Sequence, residues 1–223
     1  MWCIAELTPE YIVRMEDVLA LYERPYDPRE PVICWDEKPV ALHADVRPPR
    51  PARPGHVAKR DNEYRRCGTA NIFAIVEPLA GRHFNRVTPT RSGREFALAI
   101  ESLIAAYPAA RTIHLVLDNL NIHAETFLVP VFGKRRAHQL WRRLTIHYTP
   151  KHGSWLNQAE IELSLISRQA LGTERIPTQP ALSQRIHAWN RRANRRKTRI
   201  NWSFTRKAAR KKFKYKPSKR SQT

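Results

Sequence analysis

The chain has 223 residues and carries 40 Lys and Arg against 20 Asp and Glu, a formal charge of +20. That length suffices for one well-buried domain with an appendage, and the charge calls for a polyanionic partner. No apolar run approaches the ~20 residues of a bilayer crossing, the opening MWCIAELTPE has no signal-peptide pattern, and Cys3, Cys34 and Cys67 fit structural thiols in a reducing cytosolic setting.

Thr8-Pro9-Glu10 reads as a helix start, a hydroxyl cap followed by proline at the first helical position. Ile12, Met15, Val18, Leu19 and Tyr22 follow at helical spacing, and Pro25, Pro28 and Pro31 end the helix. Residues 32–36 read as a buried strand, with ALHADV as its hairpin partner. The next stretch holds Pro48, Pro49, Pro51 and Pro54 among Arg47, Arg50, Arg53, Lys59 and Arg60. It reads as an extended loop whose charge can lie along a phosphate backbone. TANIFAIVEP and RHFNRVTP alternate as two antiparallel strands joined at Gly81. A helix is expected from about Gly93 to Tyr107, with Phe96, Leu98, Ile100, Leu103 and Ile104 as its apolar set. TIHLVL, residues 112–117, is apolar on both faces, the pattern of a central parallel strand covered by helices. One or two short helices around Gly133 fill 125–143, LTIHY is a last strand, and Pro150 and Gly153 mark a loop. Ser154 is placed to cap a helix running to about Leu171, and one or two basic helices follow Pro177. From Arg175 to Thr223 there are 17 basic residues and no acid, which leaves 23 basic against 20 acidic in residues 1–174. The body is therefore an ordinary globular domain, and the tail carries the field.

This order makes a mixed α/β sheet with helices on its faces. Three acids stand out in it. Asp36 and Asp118 each close an apolar strand, and Glu160 sits early in a helix. Three carboxylates delivered in this way can hold two divalent cations for chemistry on phosphodiesters. The helix stripe Leu156, Ala159, Leu163, Ile166 and Ala170 has Glu160 and Glu162 on its opposite sides, so periodicity alone does not choose between them. Glu160 shares its side with Asn157 and Ser164. Glu37 points to the other sheet face from Asp36 if the strand continues. Around the acids, Asn119, His123, Lys151 and Asn157 are candidates for supporting a metal shell or touching a DNA backbone, and His123 equally reads as a packed loop histidine. Trp155 reads as a core anchor. In the tail, Arg191, Arg192, Arg195, Arg196, Lys197, Arg199, Arg210, Lys211 and Lys212 are interleaved with Trp189, Trp202, Phe204, Phe213 and Tyr215. They read as phosphate contacts that give affinity without base readout.

CWDEKP, EYRRCGTANIF, VLDNLNIH, HYTPKHGSWLNQAEI and NWSFT resemble the catalytic half of bacterial insertion-sequence transposases of the DDE type, in the branch related to mariner elements. The likeness runs from near Trp2 to about Lys212. It implies an RNase H-like (retroviral-integrase-like) α/β fold, a mixed five-stranded sheet flanked by helices with the basic helical tail appended. It also implies two Mg²⁺ ions, with Mn²⁺ able to substitute, and cut-and-paste transposition of double-stranded DNA by a homodimer in the cytoplasm, at the nucleoid. No organic cofactor and no membrane are implied. Asp36, Asp118 and Glu160 match the three acids, and the register NQxE selects Glu160 over Glu162. Asp36 would bridge both ions, Asp118 would hold one and Glu160 the other, and without metal their repulsion raises at least one pKa. Residues 1–30 are expected as a linker helix and connector, 31–174 as the catalytic domain and 175–223 as the extension. Full-length members carry N-terminal helix-turn-helix modules, and this chain begins within what corresponds to their linker. It also places 41 residues between Asp118 and Glu160, more than is usual for the branch, with the extra length around Phe132–Arg143. A non-catalytic DNA-binding remnant and a structure-specific, RNase H-like nuclease are the alternative readings.

Overall fold

The structure, a computed structural model, describes residues 7–216, so Trp2 and Cys3 lie outside the described residues. Helix α1 (Pro9–Tyr22) starts where expected, with the Thr8 hydroxyl accepting the Tyr11 N–H at 3.2 Å. Its buried stripe includes Tyr11, Met15, Val18 and Leu19.

Strand β1 (Val32–Asp45) is one continuous 14-residue strand, which corrects the expected break into a short strand and a hairpin partner. Its antiparallel partner is β2 (Tyr64–Glu77), from Cys34 opposite Val76 to Asp45 opposite Tyr64. Pro39 does not end the strand because β5 flanks β1 only at Val32–Cys34. Beside Pro39 that edge is open, and there a strand tolerates proline. The register shifts between Ala41 and His43, and the His43 N–H donates to the Ile176 carbonyl at 3.0 Å. The proline-rich stretch is not extended. It folds back about Gly55 (φ +77), with Arg50 bridged to Lys59 and Arg53 to His56. Arg175 holds its base, donating to the Asp45 carboxylate and to the carbonyls of Asp61, Asn62 and Glu63.

The next expected strand is divided into β3 (Arg82–His83) and β4 (Arg86–Thr88), both antiparallel to β2. At the gap the Asn85 side chain accepts the Ile75 N–H at 2.8 Å and so replaces a ladder bond. Gly81, at φ +63, joins β2 to β3, and a Cβ there would stand 2.6 Å from the Lys197 carbonyl, so only glycine fits. Ser92 caps α2 (Gly93–Ala105). Strand β5 (Ile113–Leu117) is buried throughout and parallel to both neighbours, β1 and β6 (Leu144–Tyr148). The order is β3-β2-β1-β5-β6, with β4 also on β2. The sheet is thus five positions wide and made of six strands. Between β5 and β6, a 3₁₀ turn (Glu125–Phe127) leads into α3 (Val129–Trp141), which breaks at Gly133 (φ 73).

Helices α2 and α3 cover one sheet face, where Trp35, Phe73, Ile75 and Leu115 pack with Phe96, Ile100 and Leu140. On the other face, α1 and α6 (Arg206–Phe213) cover Cys34, Val76 and Val116. Beside them, α4 (Ala159–Ile166) and α5 (Gln179–Arg196) cover Leu42, Ala70, Ile72 and Ala74. Each fully buried Ile, Leu or Phe contributes about 1.5–3 kcal/mol, so both the N-terminal helix and the basic C-terminal helices are held by the body's core.

The helix expected from Ser154 to Leu171 is three pieces: a 3₁₀ turn (Ser154–Leu156), α4, and a π-helical turn (Ser167–Leu171). Ser154 does not cap α4. Asn157 is extended (φ −79, ψ 110) and interrupts the helix, and its side chain accepts the Ala159 N–H at 3.1 Å.

Candidate active site

The sheet brings Asp36 and Asp118 together through register. Cys34 pairs with Val116 as the last pair of the parallel ladder between β1 and β5, and each acid lies two residues beyond it, Asp36 within β1 and Asp118 just past the end of β5. Glu160, exposed in the first turn of α4, faces Asp36 across a groove of about 470 Å³ that both line. Burial pushes the Asp36 carboxyl up to about 7, and the nearby charges of Glu160, Glu37 and Asp118 add to the rise against the Glu37 N–H that donates to it. Burial is thus the main cause of the rise, and repulsion from the neighbouring acids is a smaller addition to it.

Asp118 is shifted the other way. Burial raises it, but a hydrogen bond from His123, the Leu120 N–H at 3.0 Å and the charges of His123 and Arg91 bring it below the ordinary value. His123 is 2% exposed, and its Nε2 donates to Glu37 at 2.9 Å while its Nδ1 lies 3.0 Å from an Asp118 carboxylate oxygen. Burial alone would lower its pKa, but the two carboxylates outweigh it and raise the ring to about 9. At neutral pH the ring is an imidazolium held between Glu37 and Asp118. The ligand atoms of Glu37, Asp118 and His123 all lie within 4.8 Å of one another. Hydrogen-bonded to Glu37 on one nitrogen and lying against Asp118 on the other, the ring clamps the Asp118 carboxylate in place. Glu37 is on the opposite face from Asp36, as alternation predicts, beside the Trp35 indole that donates to it at 2.9 Å. Its bond to His123, 86 residues away, leaves no local trace in the sequence.

The other candidates separate by environment. Asn157 is 1% exposed and donates to the Trp35 carbonyl at 2.8 Å, fastening the approach to α4 onto β1 beside Asp36. Asn119 donates to the Thr149 carbonyl at 2.6 Å and accepts from Arg14, so it is a brace between segments. Lys151 is exposed, beside His152 in a left-handed conformation (φ 62). Trp155 packs edge-on against Phe204 in the α1–α6 cluster. Glu162 is fully buried away from the acids, with His83 Nδ1 at 2.8 Å and Asn85 donating to it. On α5 the buried stripe Leu182, Ile186, Trp189 and Ala193 turns Arg191, Arg192, Arg195 and Arg196 to solvent, and Lys197 and Arg199 beyond it are also exposed. On α6, Lys211 and Lys212 are exposed, with the Lys212 ammonium 5.9 Å from the Phe204 and Phe213 rings. Arg210 is instead committed to Glu16 on α1 by two hydrogen bonds, at 2.9 and 2.6 Å.

Among solved structures the fold is similar to the Mos1 transposase paired-end complex with left transposon end (14% identity, TM-score 0.56). It is also similar to the mariner Mos1 paired end complex with Mg (14% identity, TM-score 0.52). In both cases the likeness covers 89% of this chain and 62% of that one, so the chain spans less than two thirds of these structures. It shows the fold, the RNase H-like architecture of the transposases. A comparison with curated proteins finds no match. A family model described as DDE superfamily endonuclease matches residues 31–183. That span is well over half of the 223 residues and includes Asp36, Asp118 and Glu160, so the chain belongs to the DDE superfamily endonucleases.

Proposed function

We propose that the chain is the catalytic part of an insertion-sequence DNA transposase in which Asp36, Asp118 and Glu160 hold two Mg²⁺ ions, with Mn²⁺ able to substitute. The observation that carries this reading is that Asp36 and Asp118 each lie two residues beyond the last pair of neighbouring strands, with Glu160 across the groove from Asp36 and the charges of both other acids acting on it. The donor chemistry supports it, because carboxylate oxygens suit hard divalent cations and Asp36, held up to about 7, lacks a neutralising partner. Bound there, the ions would supply an activated water and stabilise both oxygens of an in-line displacement at phosphorus. His123 keeps Asp118 ionised and oriented. Asn157 fixes the start of α4, and with it Glu160, against the Trp35 carbonyl. Arg191, Arg192, Arg195, Arg196, Lys197, Arg199, Lys211 and Lys212 would contact the backbone of double-stranded DNA, with residues 31–174 as the catalytic domain and 175–223 as its basic extension. Water cleaves at the element end, and the freed 3′ hydroxyl then attacks target DNA. Two ends must be held together, which calls for a homodimer on DNA.

Nicking of supercoiled plasmid tests this reading. Wild type is expected to nick with Mg²⁺ or Mn²⁺ and not with chelator, and Asp118→Ala and Glu160→Ala are each expected to lose nicking while keeping salt-sensitive DNA binding. Wild type that binds but never nicks would leave a DNA-binding remnant, and cleavage confined to RNA–DNA hybrids would point to an RNase H-like nuclease.

A further inference from the structure

The groove between Asp36 and Glu160 continues past them, and its far part is cationic. One wall is β1, where Lys38 follows Asp36 by two residues and so lies on the same sheet face, about 7 Å further along. The other wall is α4 with its π-helical turn, where Glu160, Ser164, Ser167 and Arg168 share a helix face at spacings of four, seven and eight residues. Strand and helix run in the same direction. Ala159, at the start of α4, packs in the cluster of Cys34, while Ile166, at its end, packs in the cluster of Leu42. Each wall therefore carries an acid first and a cation after it, on the same side of the reacting centre.

Arg168 is about two helical turns, roughly 12 Å, beyond Glu160. Helical side chains lean toward the N-terminus, so its guanidinium reaches back along the groove. The π-helical turn in which Arg168 sits is closed by the Gly172 N–H donating to the Ser167 carbonyl at 3.0 Å. Such wide turns recur at functional sites. Arg168 is exposed and Lys38 half-buried. Neither makes an ion pair among the described residues, although the carboxylates of Asp36 and Glu160 line the same groove.

We infer that Lys38 and Arg168 are a seat for the phosphodiester backbone of the DNA strand presented to the acids, gripping it roughly two to three phosphates beyond the scissile one. The inference rests on Asp36, Asp118 and Glu160 being the reacting centre. The two cations draw the strand along the groove, and they offset the repulsion its phosphates meet from the acids.

The test is the salt dependence of binding to a short labelled DNA duplex, measured by fluorescence anisotropy on the full chain with Ca²⁺ in place of Mg²⁺. Removing one phosphate contact makes the plot of log K against log salt shallower by about 0.9. Lys38→Gln and Arg168→Gln are each expected to show that change, and Arg168→Lys, which keeps the charge, is expected to restore the wild-type slope. Arg111→Gln, at the other end of β5 from Asp118, is expected to leave the slope unchanged. A wild-type slope in either Lys38→Gln or Arg168→Gln, with an unchanged melting temperature, overturns the seat. Plasmid nicking by wild type separates the two ideas. Nicking with unaltered slopes sinks the seat and keeps the reading of the acids, whereas shallower slopes without nicking sink the reading of the acids and keep a phosphate-binding groove.

Discussion

Asp36 is the acid on which the cost of burial falls. Its carboxyl is raised from 3.8 to about 7, chiefly by burial, so the folded chain holds this proton more tightly than the unfolded chain does. The resulting stability is present in full below the unfolded value and is lost as pH rises through about 7. The full shift is worth on the order of 4 kcal/mol. In chelator, the melting temperature should therefore fall between about pH 4 and pH 7, and Asp36→Asn should flatten that fall. Added Mg²⁺ near pH 8 should raise the melting temperature of wild type and not of Asp36→Asn. Parallel pH profiles for the two proteins, from calorimetry, would contradict this account of Asp36. His123 shows why a residue's role is decided by its partners. Five residues past Asp118, it is equally a phosphate contact or a packed ring until the fold supplies Glu37 on its other nitrogen.

At the scale of elements, the placement of Glu160 depends on where α4 begins. Asn157 takes itself out of the helix by spending its carboxamide on two buried backbone groups, the Trp35 carbonyl and the Ala159 N–H. Asn157→Ala leaves both without that partner in a site that is 1% exposed, a loss of about 1–3 kcal/mol. Its melting temperature should drop, and plasmid nicking should fall further than DNA affinity, because Glu160 loses its tether to β1 while the tail is untouched. Equal losses in nicking and affinity would mean that Asn157 only supports the fold. The same element explains the fate of Glu162. Two residues from Glu160 it turns inward, to His83 and Asn85, and joins α4 to the broken strand β3–β4.

For the whole molecule, the notable feature is that the two ends of the described chain hold each other. Glu16 on α1 accepts two hydrogen bonds from Arg210 on α6 and one from Tyr215, and Glu23 accepts from the backbone and side chain of Arg206. Burial raises the Glu16 carboxyl, but the bonds from Arg210 and Tyr215 and the charges of Arg210 and Arg206 prevail and lower it. A lowered carboxyl contributes stability above its unfolded value that is lost as pH falls. Glu16→Ala should cost about 1–2 kcal/mol, because Arg210 can swing into water, and should lower the melting temperature by roughly 2–8 °C. Wild-type melting in Glu16→Ala would show that the clasp contributes nothing net.

Local chemistry made much of this legible from the residues alone. Hydroxyl caps, apolar periodicity and a strand apolar on both faces announce α1, α2 and β5 because those features act within a few residues. Asp36 and Asp118 are likewise marked, each by the apolar run that it follows, although Asp36 proves to lie inside β1 and only Asp118 at a strand end. What the sequence could not decide by itself rests on partners distant along the chain. Pro39 continues a strand only because β5 stops short of it, Asn157 breaks a helix only because the Trp35 carbonyl is there to receive it, and Arg210 leaves the basic tail's exposed set only because Glu16 lies opposite. Glu160 and Glu162 are the sharpest case. They flank one helix stripe alike, and only the packing of α4 across the sheet sends one to the groove of Asp36 and the other into the core, since periodicity defines a face and tertiary contact decides what that face meets.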